Sequence, residues 1–194
     1  AAVEAKPPRG SLFSRALELV PTDSHQAGHL LSIYAGVKGL EEGDYEGARE
    51  AYSRALAIAH REGNTALEMR ALVNAARVDH FHLRYQECVA KALRAIELAR
   101  LADDPSAEVD ARFSAADSLA HLGDSEGASQ QESAMLPVAE RLRDHVRLQN
   151  ALGINAFQSL LKGDWHMARD YGDRSLAASP WGPRLLHFLA ELEY

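Results

Sequence analysis

Four stretches of the 194-residue chain begin at intervals of 40 residues: Gly43-Asp44-Tyr45-Glu46-Gly47-Ala48, Leu83-Arg84-Tyr85-Gln86-Glu87-Cys88, Gly123-Asp124-Ser125-Glu126-Gly127-Ala128 and Gly163-Asp164-Trp165-His166-Met167-Ala168. A fixed period of this length, kept without slippage, is the mark of a stacked repeat protein. Each unit buries its apolar face only against its neighbours, so chain length counts stacked units and not separate cores. Such a chain offers an extended binding surface sooner than a closed reaction chamber.

Between the turns, each unit parses as two helices, the first starting near Ser24, Thr65, Ser106 and His145, the second just after the turn. Ala48, Ala51, Tyr52, Ala55, Leu56 and Ala59 follow the spacing of one buried helical face, and Cys88, Ala92, Ala95, Ile96 and Ala99 repeat it. In the first helices a small residue recurs at Gly36, Ala76, Ala116 and Ala156. Small residues at both seams let paired helices interlock from unit to unit. Thr65, with Glu68 three residues on, reads as an N-cap with a capping-box partner, and Ser106 after Asp103-Asp104-Pro105 as a looser start. Asn64, Pro105 and Pro180 are expected to stop the preceding helices. Helices of about 17 residues would be about 25 Å long.

The fold expected is therefore all-α: antiparallel helix pairs stacked as a solenoid. Residues 1–10 read as a linker and 11–194 as one array: a partial repeat at 11–22, repeats at 24–64, 65–105, 106–144 and 145–180, and a partial repeat at 181–194. Phe13-Ser14-Arg15-Ala16-Leu17-Glu18-Leu19-Val20 mirrors Tyr52 to Ala59, so the array is expected to open on a lone second helix, while Pro183 to Tyr194 reads as a lone first helix. The absence of a starting methionine and a partial repeat at each end suggest a segment of a longer protein.

Composition narrows function by exclusion. Hydrophobic residues make up 46% of the chain and charged residues 25%, an ordinary globular balance with no apolar run of membrane-spanning length. Against 28 Asp and Glu there are 21 Lys and Arg, a net charge of -7, with no basic stripe for a phosphate backbone, so direct nucleic-acid binding is not expected. One cysteine, Cys88, excludes an intrachain disulfide and a zinc thiolate cluster, and together with the lack of a secretion signal fits the cytoplasm. No nucleophile with a base partner, glycine-rich phosphate loop or paired-carboxylate motif appears, so no catalytic residue and no cofactor is assigned.

A small residue late in the first helix, a Gly-Asp-Tyr turn, a small residue opening the second helix and an alanine one turn later resemble the tetratricopeptide repeat. The resemblance covers residues 24 to 180, and the period of 40 is similar to a longer variant in the sensor arrays of maltose-regulator-type bacterial transcription activators and cyclase-linked signalling ATPases. It implies a right-handed α-α superhelix whose first helices line a concave groove, and a role as the sensor or partner-recognition segment of a regulatory protein. A freestanding scaffold or co-chaperone holding extended peptides is the alternative. The partner implied is a protein or peptide segment, or a small-molecule effector, and not a membrane.

On that resemblance the groove face carries Leu30, Ile33, Tyr34 and Val37, then Arg70, Val73, Asn74 and Arg77, then Asp110, Phe113, Ser114 and Asp117, then Asn150, Gly153, Ile154 and Phe157. Tyr34, Arg70, Asn74, Arg77, Asp110, Ser114 and Asp117 are the candidate binding residues. Asn74 matches the place where peptide-binding relatives hold a ligand backbone, since an amide both donates and accepts. Arg70 with Asp110, and Arg77 with Asp117, stand 40 residues apart; they form either a mixed-charge groove or two inter-unit ion pairs.

Several residues depart from the pattern. Leu83-Arg84 replaces Gly-Asp, Gln131 and Glu132 fall where apolar residues should face inward, and Pro137 follows inside a helix, where a lost bond and a clash predict a bend or shift. Glu132 is expected to rotate to solvent at that kink, or else to meet Arg169 or Arg174. Nine histidines include His25 and His29 one turn apart, with His80, His82 and His121 near first-helix ends, but no third-ligand motif accompanies them and no metal is assigned. Cys88 reads as a packing cysteine and Trp165 as the turn wedge that Tyr45 and Tyr85 supply elsewhere, while Trp181 and Phe188 are expected to be partly uncovered.

Overall fold

The computed structural model describes residues 9–178, and among them are nine α-helices, one π-helical segment and no strand. Residues 1–8, Pro180, Trp181, Phe188 and the expected final helix lie outside the described residues, while Arg9 and Gly10, expected in the linker, open the first helix. The chain divides into two compact units between Ala102 and Asp103. The first holds α1 (Arg9–Glu18), α2 (His25–Gly36), the π segment (Val37–Glu41), α3 (Tyr45–Glu62), α4 (Thr65–Phe81) and α5 (Tyr85–Leu101); the second holds α6 (Pro105–His121), α7 (Ser125–Arg141), α8 (His145–Leu161) and α9 (Trp165–Ala178). Within each unit consecutive helices pack on one another, α2 also touches α4, and α6 touches α8. This is the expected all-α helical repeat.

The turns show why the period is written as Gly-Asp. Gly43, Gly123 and Gly163 take left-handed φ of 71°, 81° and 76°, which a residue without Cβ adopts freely. The aspartate that follows accepts from an amide three residues on: Asp44 from Gly47 at 2.9 Å, Asp124 from Gly127 at 2.8 Å, Asp164 from Met167 at 3.1 Å. Each such cap contributes about 1 kcal/mol. Leu83 takes the same left-handed path with φ 59° and Arg84 makes no side-chain cap bond, so the second turn keeps the geometry without either aid.

Thr65 and His145 open α4 and α8 as expected, α2 opens at His25 directly behind Ser24, and α6 opens at Pro105, one residue before Ser106. The N-caps are Ser24, Asn64, Asp104 and Asp144. Asn64 caps α4 through its side-chain oxygen on the Leu67 amide, so Thr65 is already helical. Pro105 does not stop α5 but opens α6, where its missing N–H is one of the amides a first turn leaves unpaired. At the other end, α2 continues through the π segment, so His25 to Glu41 spans 12 and 5 residues, 17 in all, matching α4 and α6. Gly39 sits in that segment at a close approach: a Cβ there would stand 2.5 Å from Val78 Cγ1.

The core is alanine-rich, as the seams demand. Gly36, Ala76, Ala116 and Ala156 are buried in the first helices, and Ala48, Cys88, Ala128 and Ala168 in the second. Larger side chains fill the space between: Leu31, Tyr52, Ile58, Leu67 and Val78 in the first unit, Val109, Met135, Val138 and Ile154 in the second. Fully burying one such side chain contributes about 1.5–3 kcal/mol. The lone helix α1 lies on α2, with Leu17 and Val20 joining the first core.

One sequence expectation is overturned here. Helix α7 runs unbroken from Ser125 to Arg141 with Pro137 inside it, and Glu132 is not turned to solvent: it is 4% exposed, with Gln131 buried beside it. Pro137 itself is on the outer face, so the helix keeps the phase that points Glu132 inward. Its charged neighbour is Lys162, at 3.9 Å, and not Arg169 or Arg174; Arg174 pairs with Glu140 and Asp170.

Candidate functional site

In the first unit, α2 and α4 run side by side in parallel, joined by Asn74 Nδ2 donating to the Ser32 carbonyl at 3.1 Å and by His82 Nε2 meeting the Gly39 carbonyl at 2.8 Å. Asn74 thus spends a donor on holding α4 against α2. Tyr34 is half-buried: its hydroxyl meets Ser14 Oγ of α1 at 3.1 Å, its ring lies 6.3 Å from Phe13, and Lys38 stands 5.8 Å above it. Lys38 also bridges Glu42 and Asp44, whose carboxylates hold its pKa well above the usual lysine value. The Gly47 amide, and then Lys38, keep Asp44 below the ordinary carboxylate range.

Arg70 and Arg77 are different. Both are exposed on α4, and among the described residues neither has a carboxylate partner. The Arg77 guanidinium reaches across α2, where Nη2 lies 3.8 Å from the place a Cβ on Gly36 would take. The acidic side chains of α4 are committed elsewhere, Glu68 to Arg94 at 3.2 Å and Asp79 to Lys91 at 2.5 Å. Phe81 and Leu83, at the end of α4 and in its turn, are 54% and 70% exposed.

In the second unit the three remaining candidates are engaged within the fold. Asp110 receives Arg147 through both oxygens, at 3.0 and 2.7 Å, and Arg147 also meets Asp144, the cap of its own helix. The Ser114 hydroxyl, 4% exposed, donates to the Asp110 carbonyl. Asp117 lies 3.6 Å from His121, which also meets the Asp117 carbonyl. The pairings considered for Arg70 with Asp110 and Arg77 with Asp117 join residues of different units; inside the second unit, Asp110 has an arginine of its own.

Sequence reasoning misses one polar cluster and assigns the wrong surroundings to another. Asp79, fully buried, accepts from Tyr45 at 3.0 Å and Tyr52 at 3.4 Å through one oxygen and from Lys91 through the other, and Lys91 lies 5.4 Å over the Tyr52 ring. Burial, reinforced by Asp79, pushes the Tyr52 phenol far above its ordinary value. The second cluster surrounds Glu132, whose Oε1 has no hydrogen-bond partner, as does Nε2 of buried Gln158. Burial raises the Glu132 carboxyl to about 7, with Asp117 pushing the same way and Lys162 against. The signal in the sequence was a polar residue at an apolar phase; what it lacked was which helix supplies the partner.

Among the described residues no group of three His, Cys, Asp or Glu side chains gathers to hold a metal ion, and no helix is long and apolar enough to cross a membrane. His25 instead meets Asn64 at 3.0 Å and Glu62 at 3.5 Å. Neither a protein-family model nor a curated protein sequence matches the chain.

Proposed function

We propose that the chain is a non-catalytic binding module of the tetratricopeptide-like kind, the partner-recognition segment of a larger cytoplasmic regulatory protein, taking a protein or peptide segment along its first helices. The observation that carries this is the pair Arg70 and Arg77: exposed guanidinium groups without a carboxylate, on a first-helix face where Asp110 meets Arg147 and Asp117 meets the His121 imidazole. Side chains that fold stability has not claimed are available to a ligand. The charged groups with displaced pKa values are tied into caps, pairs or the core, which supports recognition and not turnover. Selection from a displayed random-peptide library, followed by hydrogen exchange with the selected peptides bound, tests the proposal. Slowed exchange along α2, α4, α6 or α8 is the expected result; selected peptides that slow exchange nowhere on these helices would count against a binding module.

A further inference from the structure

We propose that the exposed face of α4 and the turn after it dock an extended acidic segment of a protein partner, its carboxylates on Arg70 and Arg77 and an aliphatic side chain on Phe81 and Leu83. This rests on the binding-module reading and adds to it the place and the chemistry of the ligand.

Arg70, Asn74, Arg77 and Phe81 follow one another at intervals of 4, 3 and 4 residues, the spacing of a single helical stripe. The stripe is fixed in place, because Asn74 ties it to the Ser32 carbonyl. With Glu68 and Asp79 already paired, the solvent face of α4 offers cations alone. A guanidinium fork binds a carboxylate through two parallel bonds, so the complement of this face is a row of acidic side chains. Arg70 and Arg77 are about 10 Å apart along the axis, and an extended peptide rises about 3.3 Å per residue, so acidic residues three apart match them. Phe81 lies about 6 Å further on, two residues along the same peptide.

The turn supplies the second, independent observation. Where the three Gly-Asp turns place glycine at positive φ, this one places Leu83 at 59° with its side chain 70% exposed. The strained backbone gains no burial in return, and strain of this sort collects at ligand contacts. Together with Phe81, at 54% exposure, Leu83 makes an apolar step at the end of the arginine stripe.

The test uses the full chain and a rhodamine-labelled peptide, Glu-Ser-Ser-Glu-Ser-Leu, followed by fluorescence anisotropy. Saturable binding below about 1 mM is expected, lost in about 0.5 M salt and absent for the peptide with lysine in place of glutamate. Reversing both charges (Arg70→Glu with Arg77→Glu) is expected to weaken it at least about tenfold, and the neutral pair Arg70→Gln with Arg77→Gln serves if the reversal disturbs the helical circular dichroism. Leu83→Gly is expected to weaken binding while raising the thermal midpoint, a combination that a purely structural leucine would not give. No binding at about 1 mM, or binding unchanged in a folded arginine variant, overturns the proposal. If library-selected peptides then still slow exchange on α2, α6 or α8, the module stands and only the α4 assignment falls.

Discussion

Among the described residues each unit of the molecule buries one carboxylate between its helices, and the two are treated in opposite ways. In the first unit Asp79 meets two phenols and an ammonium group. In the second, Glu132 has Lys162 at 3.9 Å and one oxygen with no hydrogen bond. The slots correspond across 80 residues: Glu132 occupies the place of Tyr52, and Ser125 that of Tyr45. So the second unit puts a carboxylate where the first puts a donor, and shortens the other donor. A repeat fixes backbone positions but not the pairing of polar groups, and an unpaired buried charge is costly where a paired one is not.

The largest test of this contrast removes the cation. Lys91→Met should destabilise the first unit by about 3 kcal/mol, because it leaves Asp79 buried with phenols alone, whereas Lys162→Met should cost far less. Urea unfolding followed by circular dichroism measures both; equal losses would break the contrast. Next comes pH. The Glu132 pKa of about 7 in the folded chain lies above its ordinary value of 4.5, so the folded state holds a proton that the unfolded state has released. Stability from this group is present below pH 4.5 and is lost as pH rises through 7, by up to about 3 kcal/mol. Glu132→Gln should remove that loss, raising stability at pH 8 by about 2 kcal/mol and leaving it little changed at pH 5. Hydrogen exchange on α7 at the two pH values reads the effect locally, and identical pH profiles for the variant and the parent chain would refute it.

Smaller effects come from the turns. Asp124→Ala should cost about 1 kcal/mol by freeing the Gly127 amide, while Arg84→Ala, which removes no cap, should cost about 0.5 kcal/mol through its contact 5.7 Å from the Tyr45 ring. Leu83→Gly should raise stability by about 0.5–1 kcal/mol, since relief of the left-handed strain is partly offset by the freedom of glycine in the unfolded chain. Thermal melts compare all three with the parent chain. A loss in Arg84→Ala as large as that in Asp124→Ala would show that the second turn is capped like the third after all.

The same contrast explains which features were legible in the sequence. The period of 40, the small-residue slots and the Gly-Asp turns are dictated by backbone geometry and close approach, and residues such as Gly43, Ala76 and Cys88 announce them directly. The caps expected at Thr65 and Ser106 fall one and two residues late, because Asn64 and Asp104 serve as caps as well as ending the turns before them. Glu132 was misread because one helix was weighed alone: the cost of Pro137 was set against the cost of burial, and the phase of α7 survives the proline. The stripe proposed for binding is half legible. Arg70, Asn74 and Arg77 share a spacing that sequence displays, but that Asp110 is claimed by Arg147 depends on a helix 37 residues away.

Cys88, the only thiol in the chain, is wholly enclosed at the seam of α4 and α5. An alkylating reagent therefore reaches it only when that hairpin breathes, and the labelling rate becomes a clock for local opening. A ligand that clamps α4 would slow this clock, giving an assay for occupancy that needs neither a dye on the protein nor knowledge of the partner.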